Sequence, residues 1–527
     1  MNHPVPNAAL QAEPPALTHT CDVLVVGGGI NGCGIARDLA GRGLKVVLCE
    51  KDDLAAHTSS SSTKLIHGGL RYLEYYEFSL VRKSLIEREV LLASAPHIMW
   101  PLRFVMPHDP SMRPAWMIRA GLFLYDHLAS RKVLPGSETV QLRNHPAGAP
   151  LKPGYTQGFV YSDGWVDDAR LVVLSAMDAR DHGALVLTRT ACTRALRKQD
   201  GWTAELSGAD GQQHTVHARC LVNAAGPWAE QFLRGQAQQH DTKSLRLVKG
   251  SHIVVRKMFE HPYAYIFQNP DKRIIFAIPY EHDFTLIGTT DVEHNGAPGA
   301  AHIGEDEVGY LCEQASRYFE KQVTRSDVVW TYSGVRPLLD DAAGDPSAVT
   351  RDYLLELNVD AAPVLSVWGG KLTTFRKLAE EAADLVCPVL ACDKPRWTAG
   401  KHLPGGDFRP VIGTVSRPDR DFEALKAKFA QQYPWLAPAL LERLSHLYGA
   451  RLPLLIGQAV SVQALGEEVA PGLFEAELNY LIKHEWAQSA DDVLWRRTKL
   501  GLHMTAPQRE HVAQWFAHHL VTDRVNA

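Results

Sequence analysis

The run from Asp22 to Glu50 constrains the fold more than any other part of this chain. It opens with the apolar residues Val23 to Val26, turns through Gly27-Gly28-Gly29-Ile30-Asn31-Gly32, and continues as a helix-like segment to Gly43. A second apolar run, Val46 to Cys49, ends at Glu50. That order is strand, Gly-x-Gly-x-x-Gly turn, helix and strand, the βαβ unit that binds a dinucleotide. Gly27 permits the tight turn, Gly29 lets backbone approach a pyrophosphate, and Gly32 lets the helix lie close to the strand. The helix N-terminus offers unpaired N–H groups and the positive end of its dipole to phosphates. Glu50, about twenty residues on, is placed to accept the hydroxyls of an adenosine ribose. A carboxylate there repels a 2′-phosphate, which argues against NADP and leaves NAD and FAD open.

At 527 residues the chain is too long for one core, so two or three domains are expected. Its net charge of −4 carries no nucleic-acid signature. The eight cysteines are scattered without a C-x-x-C pair or metal-ligand spacing, which predicts free thiols in a reducing compartment and no metal site. No apolar run reaches the roughly twenty residues that span a bilayer.

The fold class expected is α/β. Residues 1–20, rich in Pro and Ala, read as a loose tail. Residues 21–397 read as the dinucleotide-binding part interleaved with a mostly antiparallel substrate-binding part, and 398–527 as a separate helical domain. Leu221 to Asn223 forms a short strand that ends in Ala224-Ala225-Gly226, small enough to pass close to a cofactor. Strands are predicted over 251–255, 273–278 and 284–287, and a helix over 78–92. Leu365 to Trp368 is a strand that runs through Gly369-Gly370-Lys371 into a helix with Phe375, Leu378, Ala382 and Val386 on one face. This is a second helix start able to face an anion or an electron-rich ring. Further helices are predicted over 421–432, 438–447, 473–485, 489–500 and 506–519.

Three patches together resemble the FAD-dependent glycerol-3-phosphate dehydrogenases of the aerobic respiratory type. They are Gly27 to Gly43, Ser62-Thr63-Lys64-Leu65-Ile66-His67-Gly68-Gly69-Leu70-Arg71-Tyr72, and Gly369-Gly370-Lys371-Leu372-Thr373-Thr374-Phe375-Arg376. Supporting runs are Lys249 to His252, Gly288 to Asp291, Tyr332 to Pro337 and Thr350 to Tyr353. One departure is Phe375, where the family usually has Tyr.

The resemblance implies an FAD dehydrogenase fold related to the amino-acid oxidases and glutathione reductase, with FAD held non-covalently. It implies cofactor contacts from Gly27, Gly29, Asn31, Gly32, Glu50, Thr58, Ser59, Lys64, His67, Gly68, Gly226, Gly370, Lys371, Leu372 and Thr373. Substrate-binding positions would be Arg71, Tyr72, Arg336, Arg351 and Lys371, the arginines serving as forks for a dianionic phosphate. Catalytic roles fall to His252, Arg336 and Lys371. His252 is the candidate proton acceptor, since an imidazole titrates near neutral pH; the alternative is a buried, hydrogen-bonded histidine. The reaction implied is hydride transfer from C2 of sn-glycerol 3-phosphate to flavin N5, with electrons passed to ubiquinone at the cytoplasmic face of the inner membrane. A homodimer is the candidate assembly.

Residues 96–135 are a candidate membrane contact. Met99, Trp100, Leu102, Phe104, Trp116, Met117, Ile118, Leu122, Phe123 and Leu124 are interspersed there with Arg103, Arg113, Arg119, Arg131 and Lys132. A buried helix with snorkelling arginines explains the pattern nearly as well. Three rival functions stay open on the residues alone: an amine or amino-acid oxidase, an NAD-dependent dehydrogenase, and a non-catalytic flavin-binding sensor.

Overall fold

The computed structural model describes residues 16–111, 113–339 and 352–526, with side chains to His519. Strand β1 (Leu17–Val26), helix α1 (Ile30–Gly41) and strand β2 (Val46–Cys49) form the βαβ unit. β1 lies between β2 and the strand Gln213–Asn223, all parallel, and Val364–Trp368 extends the sheet on the far side of 213–223. Leu185–Leu187 adds a further parallel strand beyond β2. Val23, Leu24 and Val25 are fully buried, as a parallel sheet covered on both faces requires. Helices Asp168–Asp181 and Phe375–Val389 pack against α1.

The register decides where chemistry happens. Val26 pairs with Cys49 on one side and Asn223 on the other, and Asn223 pairs with Ser366. Gly27, Glu50, Ala224–Gly226 and Gly369–Gly370 therefore leave adjacent strands at one carboxyl edge, where ligands of such sheets sit. The first strand begins at Leu17, and Leu17 to Thr20 pair with His214 to His217. Those four residues, read as tail from composition, are recruited by the ladder; residues 1–15 lie outside the described part.

The second sheet is mostly antiparallel. Its centre is Leu245–Arg256, paired with Phe284–Gly288 and with Val328–Leu339. Met99–Pro107 pairs with Gln157–Val166, and Ala264–Gln268 joins this pair to the rest of the sheet by pairing in parallel with Met99–Pro107. Along Val328–Leu339, Trp330 stacks on Trp495 at 4.8 Å and Tyr332 stacks on His252 at 4.7 Å.

Beyond residue 408 the chain is helical around its own core, which includes Phe422, Leu425, Phe429, Leu444, Leu478, Leu481 and Phe516. Pro418–Gln432, Pro438–Tyr448, Glu475–Glu485 and Ala506–Asn526 are helices. The continuous helix expected over 489–500 does not form. Asp492–Arg497 is a single π-type turn, stopped where Thr498 Oγ1 bonds the Val493 carbonyl and Lys499 enters the left-handed region at φ 59°. Leu473 and Phe474 likewise belong to a short strand pairing with Glu468–Ala470, so that helix starts at Glu475.

Candidate active site

At the carboxyl edge of the parallel sheet lies a cavity of about 350 Å³, lined by Gly27, Gly29, Asn31, Glu50, Thr58, Ser59, Gly226 and Gly370 among others. Gly27 has φ 113°, and a Cβ there would run into the Ala224 carbonyl. Gly32 does not line the cavity; a Cβ on it would strike the Gly27 carbonyl, so its role is to seat α1. Gly29 is the N-cap of α1 and has no side chain to cap it, leaving first-turn N–H groups toward the cavity, though Ser59 Oγ accepts from Ile30 N at 3.0 Å.

Glu50 is held from both sides. Its Oε2 accepts from Gly28 N at 2.6 Å and its Oε1 from Asp52 N at 2.8 Å. Burial pushes its carboxyl above the usual range, and these two N–H groups pull it part-way back. On the rim, the His57 ring packs tilted against Trp228 at 4.6 Å and shares a 2.7 Å hydrogen bond with Asp52. That bond lowers the Asp52 carboxyl and occupies the ring nitrogen.

The two glycine turns are tied together. Asn31 Nδ2 donates to the Gly369 carbonyl at 3.1 Å, and Gly370, at φ 109°, has no room for a Cβ beside Asn31. From there the chain leads through Lys371 into the turn Leu372–Thr374 and the helix Phe375–Val389. Thr373 Oγ1 accepts from His67 N at 3.2 Å, and Lys371 Nζ lies over the Tyr72 ring at 3.9 Å. Gly68 N donates to the buried Tyr125 hydroxyl at 2.8 Å. Arg71 reaches the Tyr75 hydroxyl at 3.4 Å.

On the second sheet, His252 pairs with Tyr332 and Val248 with Arg336, which puts His252, Tyr332 and Arg336 on one face. His252 is 2% exposed. Its Nε2 bonds Thr63 Oγ1 at 2.9 Å, and Nδ1 has no hydrogen-bond partner. Burial, then the charges of Lys64 and Arg336, hold its pKa down at about 3. The sequence-based expectation that it titrates near neutral pH is therefore corrected: the ring is neutral throughout the physiological range. Lys64 is itself buried, paired with Asp168 at 2.7 Å; burial alone would raise Asp168, but Lys64 and Lys499 outweigh it and leave the carboxyl low. Arg336 Nη2 is held by Asp291 at 2.5 Å and by the Thr290 carbonyl at 3.1 Å.

Residues 22–376 match the FAD dependent oxidoreductase family, and residues 397–524 match the C-terminal domain of alpha-glycerophosphate oxidase. The chain belongs to the FAD-dependent oxidoreductases. It is 50% identical to a glycerol-3-phosphate dehydrogenase of Pseudomonas aeruginosa over 98% of this chain and 99% of that one. It is also 50% identical to the D-erythritol 1-phosphate dehydrogenase of Brucella abortus, over 96% of this chain and 98% of that one. Among solved structures, the glycerol-3-phosphate dehydrogenase of Bacillus halodurans complexed with FAD aligns with a TM-score of 0.77 at 26% identity, covering 95% of this chain and 90% of that one.

Of the two dinucleotides left open by the glycine turn, FAD is the one bound, as the resemblance implied, and the residues fit it: the glycine-walled cavity suits a pyrophosphate and Glu50 a ribose. Of the residues singled out in the sequence, Gly27, Gly29, Asn31, Glu50, Thr58, Ser59, Gly226 and Gly370 line this cavity; His67, Gly68, Arg71, Tyr72, His252, Arg336, Lys371, Leu372 and Thr373 do not, and Arg351 lies outside the described residues. Lys64 reaches Asp168 and the Ser60 carbonyl without lining the cavity. Thr63, Asp168, Asp291 and Tyr332 were not singled out, although three of them fall inside the quoted runs; their roles come from partners distant in sequence. Among the described residues no His, Cys, Asp or Glu cluster could hold a metal. A larger cavity of about 1070 Å³ between Tyr280–His282 and the C-terminal helices involves none of these groups.

Proposed function

We propose that this flavoenzyme oxidises sn-glycerol 3-phosphate to dihydroxyacetone phosphate and delivers the electrons to ubiquinone at a membrane surface. The observation that carries the reading is one sheet face presenting a neutral histidine and a fixed arginine, in a chain 50% identical to a glycerol-3-phosphate dehydrogenase over nearly its whole length. FAD when bound supplies the hydride acceptor, flavin N5. Arg336, steadied by Asp291, and Arg71 take the phosphate; a guanidinium fork suits a dianion better than a point charge. His252 accepts the C2 hydroxyl proton. If its Nε2–H donates to Thr63, the lone pair on the buried Nδ1 is the one left without a hydrogen-bond partner. Lys371 and the helix start behind it stabilise negative charge opposite the substrate.

The membrane reading draws on the helix Ala115–His127. Trp116, 70% exposed, and Phe123 lie two turns apart on one face, as do Met117 and Leu124, and all four project outward. Tyr75, Tyr76 and Phe78 are exposed as well; Arg113 precedes the helix and Arg119 lies within it. Of the contact surface expected from the sequence, Met99, Leu102 and Phe104 are instead buried in the strand Met99–Pro107, and Leu122 is also buried. No helix among the described residues is long and apolar enough to cross a membrane. Attachment at one face, on the cytoplasmic side, fits such a helix.

A second substrate has a specific claim. D-Erythritol 1-phosphate carries the same phosphate and secondary alcohols on a chain one carbon longer, and its dehydrogenase is as similar to this chain. Anaerobic titration of the purified protein with each polyol phosphate, following flavin absorbance, decides between them. Bleaching by glycerol 3-phosphate at the lower concentration, independent of NAD and absent with amino acids, is the expected result. Preferential bleaching by the longer substrate reassigns it, and bleaching by amino acids alone reinstates an oxidase.

A further inference from the structure

We infer that the C-terminal helical part acts as a clamp on the adenosine end of the FAD site, through Asp492, Arg496 and Arg497. The inference uses the FAD assignment and is independent of which substrate is oxidised.

Asp53 stands three residues after Glu50 and is 2% exposed. Its Oδ2 receives Arg496 Nε at 2.6 Å and Arg497 Nη1 at 2.7 Å, and its Oδ1 receives Arg497 Nη2 at 2.8 Å. Burial alone would raise the Asp53 carboxyl; Arg497 and Arg496 overturn that and leave it low. These partners are more than four hundred residues apart in sequence. The same π-type turn has a second leg: Asp492 takes Arg189 Nη2 on both oxygens at 2.9 Å. Arg189, at φ 51°, precedes Thr190, Ala191 and Cys192, which line the cofactor cavity opposite α1. Arg496 Nη2 also reaches Asp492 at 2.5 Å, so the two legs share one brace.

Both legs end on backbone that sets Glu50. Asp52 N donates to the Glu50 carboxylate, Thr190 N donates to the Glu50 carbonyl at 2.7 Å, and Arg189 N donates to the Asp52 carbonyl at 2.8 Å. Two residues past Asp53, Ala55 N reaches the Gly28 carbonyl at 3.3 Å. A shift of Asp53 is therefore passed to the carboxylate facing the ribose and to the glycine turn facing the phosphates. Buried ion pairs add little net stability, but they specify one arrangement of the segments they join. Single π turns are rare in proteins and recur at functional sites.

The rival explanation is a generic bond between two packed units, and it makes a different prediction for FAD affinity. The comparison is Arg443, whose guanidinium forks onto Glu477 at 2.6 and 2.7 Å inside the C-terminal part, away from the cofactor. The dissociation constant for FAD is measured from the fluorescence regained as flavin leaves the holoenzyme, alongside thermal unfolding. Arg496→Gln is expected to weaken FAD binding about tenfold, and Arg496→Lys much less. Arg189→Met, on a side chain 24% exposed, is expected to weaken it about threefold. Arg443→Gln should lower the unfolding temperature with FAD affinity kept within about twofold. Should Arg496→Gln fail to fold, Arg189→Met against Arg443→Gln decides. The clamp is overturned if FAD affinity in the Arg496 and Arg189 variants stays within twofold of the parent, or if Arg443→Gln loosens FAD as much as they do.

Discussion

Lys371 Nζ sits 3.9 Å from the centre of the Tyr72 ring, joining the substrate-side loop to the helix start behind it. A desolvated cation on an aromatic face is worth about 2 kcal/mol, enough to fix a side chain as mobile as lysine. In the reaction proposed above, the ammonium and the dipole of Phe375–Val389, which starts four residues on, act on the same developing charge. Lys371→Met should lower kcat by about 100-fold or more with a smaller change in KM. Steady-state rates with a soluble quinone check this, and a variant retaining a third of the parental kcat removes Lys371 from the chemistry.

Gly32→Ala should be among the most damaging single methyl groups that can be added. The new Cβ would meet the Gly27 carbonyl, which is backbone and cannot step aside without lifting α1 from the sheet. Overpacking of this kind costs about 1–3 kcal/mol. Here it should show as lost flavin as well as a lowered unfolding temperature. A variant purified with full flavin content would contradict the placement of α1.

Acid should destabilise the fold. His252 has a pKa of about 3 in the folded chain against about 6.5 when unfolded. Between those values the unfolded chain binds a proton that the folded chain does not. Stability from this source is complete above about pH 6.5 and is lost on acidification at up to roughly 1.4 kcal/mol per pH unit. His97, fully buried and held well below its usual range by that burial and then by Arg170, contributes with the same sign. Urea unfolding at pH 7.5, 6.5 and 5.5 measures the slope; stability that is flat or rises toward pH 5.5 would contradict both assignments. For turnover, an acid limb in kcat/KM near pH 6 must then belong to a group other than His252.

Trp116→Ser with Phe123→Ser should release the protein from vesicles. Each side chain contributes on the order of 2 kcal/mol when its apolar surface leaves water, so the pair should weaken partitioning by about 100-fold or more. Arg119→Gln should reduce binding to anionic vesicles alone, and only at low salt. Sedimentation with liposomes checks both, and unchanged partitioning of the double variant would move the contact elsewhere.

Sequence legibility followed the distance between cooperating residues. The dinucleotide turn was readable because strand, glycines, helix and carboxylate fall within thirty consecutive positions, each with its own spacing rule. The proposed substrate side rests on family resemblance, since Tyr72, His252, Arg336 and Lys371 are spread over three hundred residues and no local spacing rule joins them. No local rule selects Asp291 for Arg336, Thr63 for His252, or Asp53 for Arg497; those choices are made by packing. The same limit explains the misassigned surface residues. Phe104 and Phe123 are equally apolar, and only tertiary packing, in which Phe104 stacks on Tyr161 of the paired strand, decides that the first is covered and the second is not. The depressed pKa of His252 is also a property of its surroundings, which a residue type cannot report.

The strand Val328–Leu339 touches three parts of the molecule in turn: Trp495 through Trp330, His252 through Tyr332, and the cofactor cavity through Pro337. Side chains on a strand change face at every step and each step advances about 3.3 Å, so these stations stand about 7 and about 17 Å apart with their facing fixed. Losing or gaining one residue between Trp330 and Arg336 would turn part of the strand over and aim one set of partners at the wrong layer. Evolution along this strand is then confined to exchanging side chains at constant length. Relatives that act on polyol phosphates of different length would have to find the extra room in the loops around it.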